Sequence, residues 1–218
     1  MKNKILISLI IIATTVFTIF VGAAASNVAN RQNESSDESN QKERLCCADL
    51  SAKPGIIEDN SVYQLESKWK NTENQTVALK SLMGKKEILA MVYTNCAYAC
   101  PLIVNDMKKI ESQIKRNDVH YVLISIDPKR DTPETLKKFA EKNNLDLTKW
   151  HLLSGTEDGI SELAAVLGFR YKKDSDGNFS HSNIISVLNE NGEIAYQHFG
   201  LNQDINDVLN EIKTMENK

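Results

Sequence analysis

ILAMVYTNCAYACP, residues 88–101, is the stretch from which the rest of the chain is interpreted. Its first six residues are apolar and precede turn residues, as is typical of a buried strand. Apolar residues recur at helical spacing after Pro101, and proline is favoured in the first turn of a helix. The sequence therefore predicts a strand, a loop that carries Cys96 and Cys100, and a helix that Cys100 enters.

Two cysteines separated by three residues at a helix entrance support two kinds of chemistry. The helix dipole and unpaired N–H groups are predicted to favour a thiolate at Cys100. Thiolates bind soft ions such as copper(I) or zinc, and a pair of them also exchanges with disulfides. Cys96 and Cys100 are therefore candidate metal ligands and, alternatively, a candidate redox-active pair.

Composition sets broad limits on function. The chain has 218 residues, of which 41% are hydrophobic and 25% are charged, which suits one globular domain with flanking segments. Its formal net charge of −3 argues against general nucleic-acid binding, because phosphate attraction needs a basic face. The sequence contains no glycine-rich phosphate loop, which argues against nucleotide binding.

The first 25 residues have the pattern of an export signal. Lys2 and Lys4 precede an uncharged apolar run, residues 5–21, and small residues follow it. The run is nearly long enough to span a bilayer, so the pattern predicts either a cleaved signal peptide, cut after Ala25, or a retained membrane anchor. Both alternatives export the rest of the chain.

Residues 26–60 are predicted to be a flexible polar tether, and the folded domain is predicted to span residues 61–218. Cys46 and Cys47 lie on this tether, and they are too far from the apolar run for the lipidated cysteine of a lipoprotein. Two interpretations stay open: exposed cysteines without a role, or an auxiliary metal or redox pair.

Helical and strand patterns alternate through the domain, which predicts an α/β architecture. The expected strands cover residues 62–69, 75–77, 88–93, 119–126, 150–153, 184–188 and 193–199. Thr132 or Asp131 is expected to cap a helix that starts at Pro133, and Gly192 marks the hairpin that closes the sheet. Arg130 is expected to pair with Asp131 around the turn.

Copper or zinc held by two sulfur atoms needs a further ligand, and imidazole suits both metals. The chain has four histidines, of which three are expected to be structural or surface residues: His120, His151 and His198. His181 differs because it lies in a predicted loop directly before the hairpin. Composition alone does not select it.

Three motifs together resemble the Sco/SenC family: Cys96-x-x-x-Cys100-Pro101, residues 125–133 (SIDPKRDTP), and His181 before the hairpin. The likeness runs from about residue 61 to the C-terminus and keeps the order of the motifs. The resemblance implies a thioredoxin-like fold with a central mixed sheet flanked by helices. It also implies an exported, usually membrane-tethered protein.

By the same resemblance Cys96, Cys100 and His181 correspond to copper ligands. Asp127 corresponds to an aspartate near the site that supports the ligands without binding the metal itself. Family members help to assemble the copper centre of cytochrome c oxidase. From the residues alone, Asp127 is equally well explained as a turn or cap residue. Tyr98, between the cysteines, is expected to shield the site or to contact a partner.

Two functions are therefore weighed. The first is a copper metallochaperone that serves the copper-bearing subunit of cytochrome c oxidase, or another copper enzyme such as a nitrite or nitrous oxide reductase. The second is a thiol–disulfide oxidoreductase that reduces the cysteines of a copper-accepting partner. Both require a thiol reductant, because the exported compartment is oxidising. A thiol peroxidase is weaker, since it would leave the histidine without a purpose.

Overall fold

The computed structural model describes residues 61–215. The predicted signal peptide or anchor, the tether, and Cys46 and Cys47 lie outside this range. Within it, no helix combines the length and the apolar character needed to cross a bilayer.

Nine strands and four α-helices make up the described domain. The strands are β1 (Lys68–Lys70), β2 (Thr76–Ala78), β3 (Lys86–Val92), β4 (Val119–Ser125), β5 (Trp150–Gly155), β6 (Tyr171–Lys173), β7 (Phe179–His181), β8 (Ile184–Leu188) and β9 (Ile194–Phe199). The helices are α1 (Ala99–Gln113), α2 (Pro133–Asn143), α3 (Glu157–Val166) and α4 (Asn206–Thr214). Two short 3-10 helices, Val62–Gln64 and Leu79–Leu82, flank β1 and β2.

Seven strands form one mixed sheet in the order β2-β1-β5-β4-β3-β8-β9. The central strands β3, β4 and β5 are parallel, whereas β8 and β9 on one side and β1 and β2 on the other pair antiparallel. Strands β6 and β7 form a separate two-stranded antiparallel sheet. The predicted mixed sheet with flanking helices is confirmed.

The parallel centre of the sheet explains where the core lies. All seven residues of β3 are buried, since a parallel strand in a layered α/β domain is covered on both faces. Its C-terminal end leads through Tyr93 into the cysteine loop, and α1 begins at Ala99. The loop is thereby held between a fully buried strand and a 15-residue helix.

Local capping follows the sequence in some places and departs from it in others. The Thr132 hydroxyl accepts a hydrogen bond from the Thr135 N–H, so Thr132 caps α2 as predicted. The strand expected over residues 62–69 is instead a 3-10 turn followed by the short β1. The sequence analysis also missed β6 and β7, because three-residue strands carry too little periodicity to be recognised.

Candidate metal centre

The structure brings three predicted ligands together at the C-terminal end of β3. The Sγ atoms of Cys96 and Cys100 and a ring nitrogen of His181 all lie within 4.8 Å of one another. Cys100 Sγ is 3.8 Å from His181 Nε2. These residues come from the β3–α1 loop, the first turn of α1 and the end of β7.

The backbone around each sulfur restrains it. Cys96 Sγ accepts a hydrogen bond from the Cys100 N–H at 3.3 Å, in the first turn of α1. Cys100 Sγ accepts one from the Tyr93 N–H at 3.4 Å. Both cysteines are free thiols, so the pair is in its reduced form.

The imidazole of His181 is oriented by its neighbours. Its Nδ1 lies 2.8 Å from the carbonyl oxygen of Ser182, an acceptor, so Nδ1 carries the proton and Nε2 presents its lone pair toward Cys100. The ring stacks on Phe169 at 5.9 Å and meets the Tyr93 ring edge-on at the same distance. The sequence predicted that His181 lies in a loop, but His181 is the last residue of β7.

The donor set suits a soft metal ion. Two atoms bound to one ion at about 2.0 to 2.3 Å lie no more than about 4.5 Å apart. The separation of 3.8 Å between Cys100 Sγ and His181 Nε2 falls within that limit, and the whole group needs little adjustment to meet it. Two thiols and an imidazole favour copper(I) or zinc over the harder magnesium or calcium ions.

The two thiols differ in exposure and in acidity. Burial would by itself raise the pKa of the Cys96 thiol, but backbone N–H groups of Cys100 and Tyr98 stabilise its thiolate and lower that pKa to about 6. Burial raises the pKa of the Cys100 thiol above its ordinary value, and this outweighs the N–H of Tyr93. Cys100 has no exposed surface, whereas Cys96 is partly exposed.

The prediction that the helix entrance favours a thiolate at Cys100 is therefore wrong. The N–H of Cys100 in the first helical turn points to the Cys96 sulfur, so the preceding cysteine receives the stabilisation. Cys100 itself faces the core, where a charge is poorly solvated.

This asymmetry predicts selective alkylation of the metal-free protein. Iodoacetamide is expected to modify Cys96 at least about tenfold faster than Cys100 at pH 7, because only Cys96 combines exposure with a thiolate. The rate at Cys96 should rise with pH to half its maximum near pH 6. Mass spectrometry of peptides from timed samples measures both rates, and equal modification of the two thiols would contradict the assignment.

Asp127 and Asp131 both lie on the loop between β4 and α2 but make different contacts. Asp127 is buried, and its carboxylate pairs with Arg130 rather than with a metal ligand. Asp131 accepts hydrogen bonds from the Thr94 N–H at 3.0 Å and the Ser125 hydroxyl at 2.6 Å. The expected Arg130–Asp131 ion pair is wrong, because Asp131 turns inward to hold the start of the cysteine loop.

Tyr93 is a residue of the site that the sequence analysis did not single out. Its backbone N–H bonds Cys100 Sγ, and its hydroxyl accepts the Phe179 N–H at 3.4 Å, two residues before His181. The available signal was its position as the last residue of the predicted strand, residues 88–93, directly before the loop. Tyr98 is 74% exposed, and its shielding or docking role stays a prediction.

The remaining histidines lie outside the group. The His120 Nδ1 and His151 Nε2 atoms are 3.0 Å apart on β4 and β5, at the start of these strands and so opposite the cysteine loop. His198 is buried on β9. These places agree with the structural or surface roles expected of them.

The fold and the three motifs define a class of thioredoxin-like proteins with a two-cysteine, one-histidine site, and comparison with known proteins identifies the family. The SCO1/SenC family model matches residues 60–217. The chain therefore belongs to the SCO1/SenC family, and the predicted thioredoxin-like fold is confirmed.

Solved structures of the family superpose on this chain. A SCO1/SenC family lipoprotein from Bacillus anthracis has a TM-score of 0.65 and 27% identity, over 71% of this chain and 96% of that one. BsSco, described as a member of the Sco family of cytochrome c oxidase assembly proteins, has a TM-score of 0.60 and 26% identity, over 68% and 90%. Arabidopsis thaliana ScoI with copper bound has a TM-score of 0.60 and 23% identity, over 69% and 95%.

Proposed function

We propose that this chain is an exported copper-binding protein that assists assembly of the copper centre of cytochrome c oxidase, or of a related copper enzyme. One observation carries the proposal: the fold brings His181, which is 81 residues after Cys100 in sequence, to the cysteine pair, so that the ligand atoms of Cys96, Cys100 and His181 lie within 4.8 Å of one another. Family membership supports the cargo and the recipient, since a relative is described as a cytochrome c oxidase assembly protein and a neighbour holds copper.

Copper is the cargo of this proposal, and the three side chains have unequal parts in holding it. Cys96 offers a ready thiolate at the surface, so it is the first contact for an incoming ion. Cys100 must lose its proton to bind, which the positive charge of a bound ion promotes. His181 supplies Nε2 while its Nδ1–H stays bonded to the Ser182 carbonyl, which keeps the ring in the binding orientation.

Export is part of the proposal. The charged, apolar and small-residue order of residues 1–25 supports it, and one structural neighbour is described as a lipoprotein. In such a compartment the cysteine pair would oxidise to a disulfide, which removes both thiolates. A thiol reductant is therefore a required partner of copper loading.

The same pair supports the second candidate, a thiol–disulfide oxidoreductase. Here the Cys96 thiolate attacks a disulfide of a copper-accepting partner and forms a mixed disulfide, releasing one partner thiol. Cys100 then loses its proton and attacks the Cys96 sulfur, which releases the second partner thiol and leaves a Cys96–Cys100 disulfide. The difference in acidity between the two thiols favours Cys96 as the attacking group.

The variant His181→Ala separates the two functions. The reduced variant is expected to bind copper(I) at least about tenfold more weakly, because one of three ligands is lost, whereas thiol–disulfide exchange needs only the two sulfurs. Competition with a chromogenic copper(I) chelator measures the affinity, and reduction of a model disulfide measures exchange.

The matched control is His120→Ala, which removes an imidazole at the opposite end of the parallel strands and should leave copper affinity unchanged. Protein oxidised to the Cys96–Cys100 disulfide should not bind copper. Unchanged affinity in the His181→Ala variant would remove His181 from the ligand set and favour the oxidoreductase.

A further inference from the structure

The strand that carries His181 does not belong to the main sheet. Strands β6 and β7 pair only with each other among the described residues, joined by a turn over residues 174–178. Their position against the domain therefore depends on side-chain contacts rather than on a backbone ladder. We call this pair and its turn, residues 171–181, the histidine hairpin.

The two strands of the histidine hairpin are held by side-chain contacts with the rest of the domain. The Phe179 N–H donates to the Tyr93 hydroxyl, and the two rings lie 5.1 Å apart. The Tyr171 hydroxyl lies 3.1 Å from Ser161 Oγ on α3. These contacts fix the two strands, since Phe179 pairs with Lys173 at the turn side of the ladder and Tyr171 pairs with His181 at the open side, but they do not include the turn itself.

The turn of the hairpin is held by Arg130. The Arg130 Nε–H donates to the Asp127 carboxylate. The Nη2 amino group of the same guanidinium donates to the Gly177 carbonyl at the tip of the turn. Gly177 has a φ of +82°, a left-handed conformation that glycine adopts without strain. Arg130 thus joins the β4–α2 loop directly to the tip of the hairpin.

The buried Asp127 carboxylate holds the Arg130 side chain in place. Asp127 is 1% exposed, and its N–H donates to the Ser125 hydroxyl at the end of β4 at 3.0 Å. A second cation reaches it from the hairpin, since Lys173 Nζ lies 3.6 Å from its Oδ1. A buried carboxylate requires such counter-ions, so Asp127 holds cations from the loop and the hairpin together.

We propose that Arg130 is a positioning residue for His181, and that Asp127 influences the metal centre through Arg130 and Lys173. The planar guanidinium holds two acceptors in fixed directions, which a flexible lysine ammonium does not do. The Arg130 contact in the turn therefore adds to the side-chain contacts of the strands, and together they restrict rotation of the hairpin against the domain. His181 consequently stays 3.8 Å from the Cys100 sulfur.

The test begins with hydrogen–deuterium exchange of the copper-free protein. In the Arg130→Gln variant, backbone amides of residues 171–182 should exchange at least about tenfold faster, whereas those of α1 and β4 should not change. Lys129→Gln is the matched control, because it removes the same charge one position earlier. Lys129 pairs with Glu157 on α3 rather than with the hairpin turn, and 76% of its side chain is exposed.

The second measurement rests on the proposed function and uses copper(I) competition. Arg130→Gln should weaken copper binding about 10- to 100-fold, the range seen when a residue that orients a metal ligand is removed. In the His181→Ala background the same substitution should cause no further loss, because its effect passes through His181. Lys129→Gln should leave the affinity unchanged in both backgrounds.

Each outcome decides the proposal. Unchanged exchange in the hairpin, or an equal loss of affinity with and without His181, would overturn it. A wild-type protein that fails to bind copper would refute the proposed function, and the exchange measurement alone would then decide the role of Arg130. If Arg130→Gln does not fold because Asp127 is left uncompensated, the double variant Asp127→Asn, Arg130→Gln removes both charges and the same exchange result is required.

Discussion

Replacing Cys100 with serine is expected to abolish tight copper binding while the domain stays folded. A hydroxyl oxygen is a poor ligand for copper(I), and the remaining thiolate and imidazole cannot replace the lost sulfur. We expect the affinity of the reduced protein to fall by more than about 100-fold, which corresponds to more than about 2.7 kcal/mol. Competition with a copper(I) chelator of known affinity measures the change.

The controls for this prediction use the asymmetry of the cysteine pair. Cys96→Ser should cause a comparable loss of copper affinity but little loss of stability, because Cys96 is partly exposed. Cys100→Ser replaces a fully buried sulfur that accepts the Tyr93 N–H, so its melting temperature should fall modestly. Retention of tight one-to-one copper binding by either folded variant would show that the metal lies elsewhere.

Replacing Glu87 with glutamine is expected to stabilise the protein in alkaline solution. Glu87, the second residue of β3, is 1% exposed, and neither carboxyl oxygen has a hydrogen-bond partner among the described residues. Burial raises the pKa of its carboxyl from the ordinary 4.5 to about 8, although the nearby charge of Lys85 opposes the change. The folded protein therefore keeps this carboxyl protonated at neutral pH.

The direction of the pH dependence follows from proton binding. Between pH 4.5 and about 8 the unfolded chain has lost the Glu87 proton and the folded chain retains it, so stability falls as pH rises through this range. At about 1.4 kcal/mol per pKa unit, the whole range corresponds to roughly 4 to 5 kcal/mol. Glutamine has nearly the same shape and does not ionise, so the variant loses this dependence.

Urea unfolding at a series of pH values measures the effect. The Glu87→Gln variant should match the wild type within about 1 kcal/mol at pH 4.5, and the difference between them should grow to several kcal/mol by pH 8.5. Glu66→Gln, at an exposed position, is the control and should change little at either pH. A difference that does not depend on pH would mean that Glu87 is already ionised in the folded protein.

Much of the chain around the metal centre could be predicted from local sequence. The apolar run before the cysteine loop, the helix after Pro101 and the capped helix at Pro133 depend on neighbours in sequence, and each lies where it was predicted. The order of the motifs also predicted the family correctly. Such features are recoverable because periodicity and capping act over a few residues.

The electrostatics of the site required the folded structure. The helix entrance was predicted to stabilise a thiolate at Cys100, but burial of its side chain, which local sequence does not reveal, reverses this preference. Asp131 and Arg130 are adjacent in sequence and yet contact Thr94 and Gly177, which are remote from them. Adjacent residues diverge in this way because side-chain direction is set by packing.

The position of His181 is the clearest example of a feature that local sequence does not determine. Composition did not distinguish His181 from the three other histidines. Its position before the hairpin and the family resemblance singled it out. Its distance of 3.8 Å from the Cys100 sulfur depends on a short hairpin without a ladder to the main sheet. The turn of that hairpin contacts Arg130, which is 47 residues before Gly177 in the chain, and such long-range contacts leave no periodic pattern in sequence.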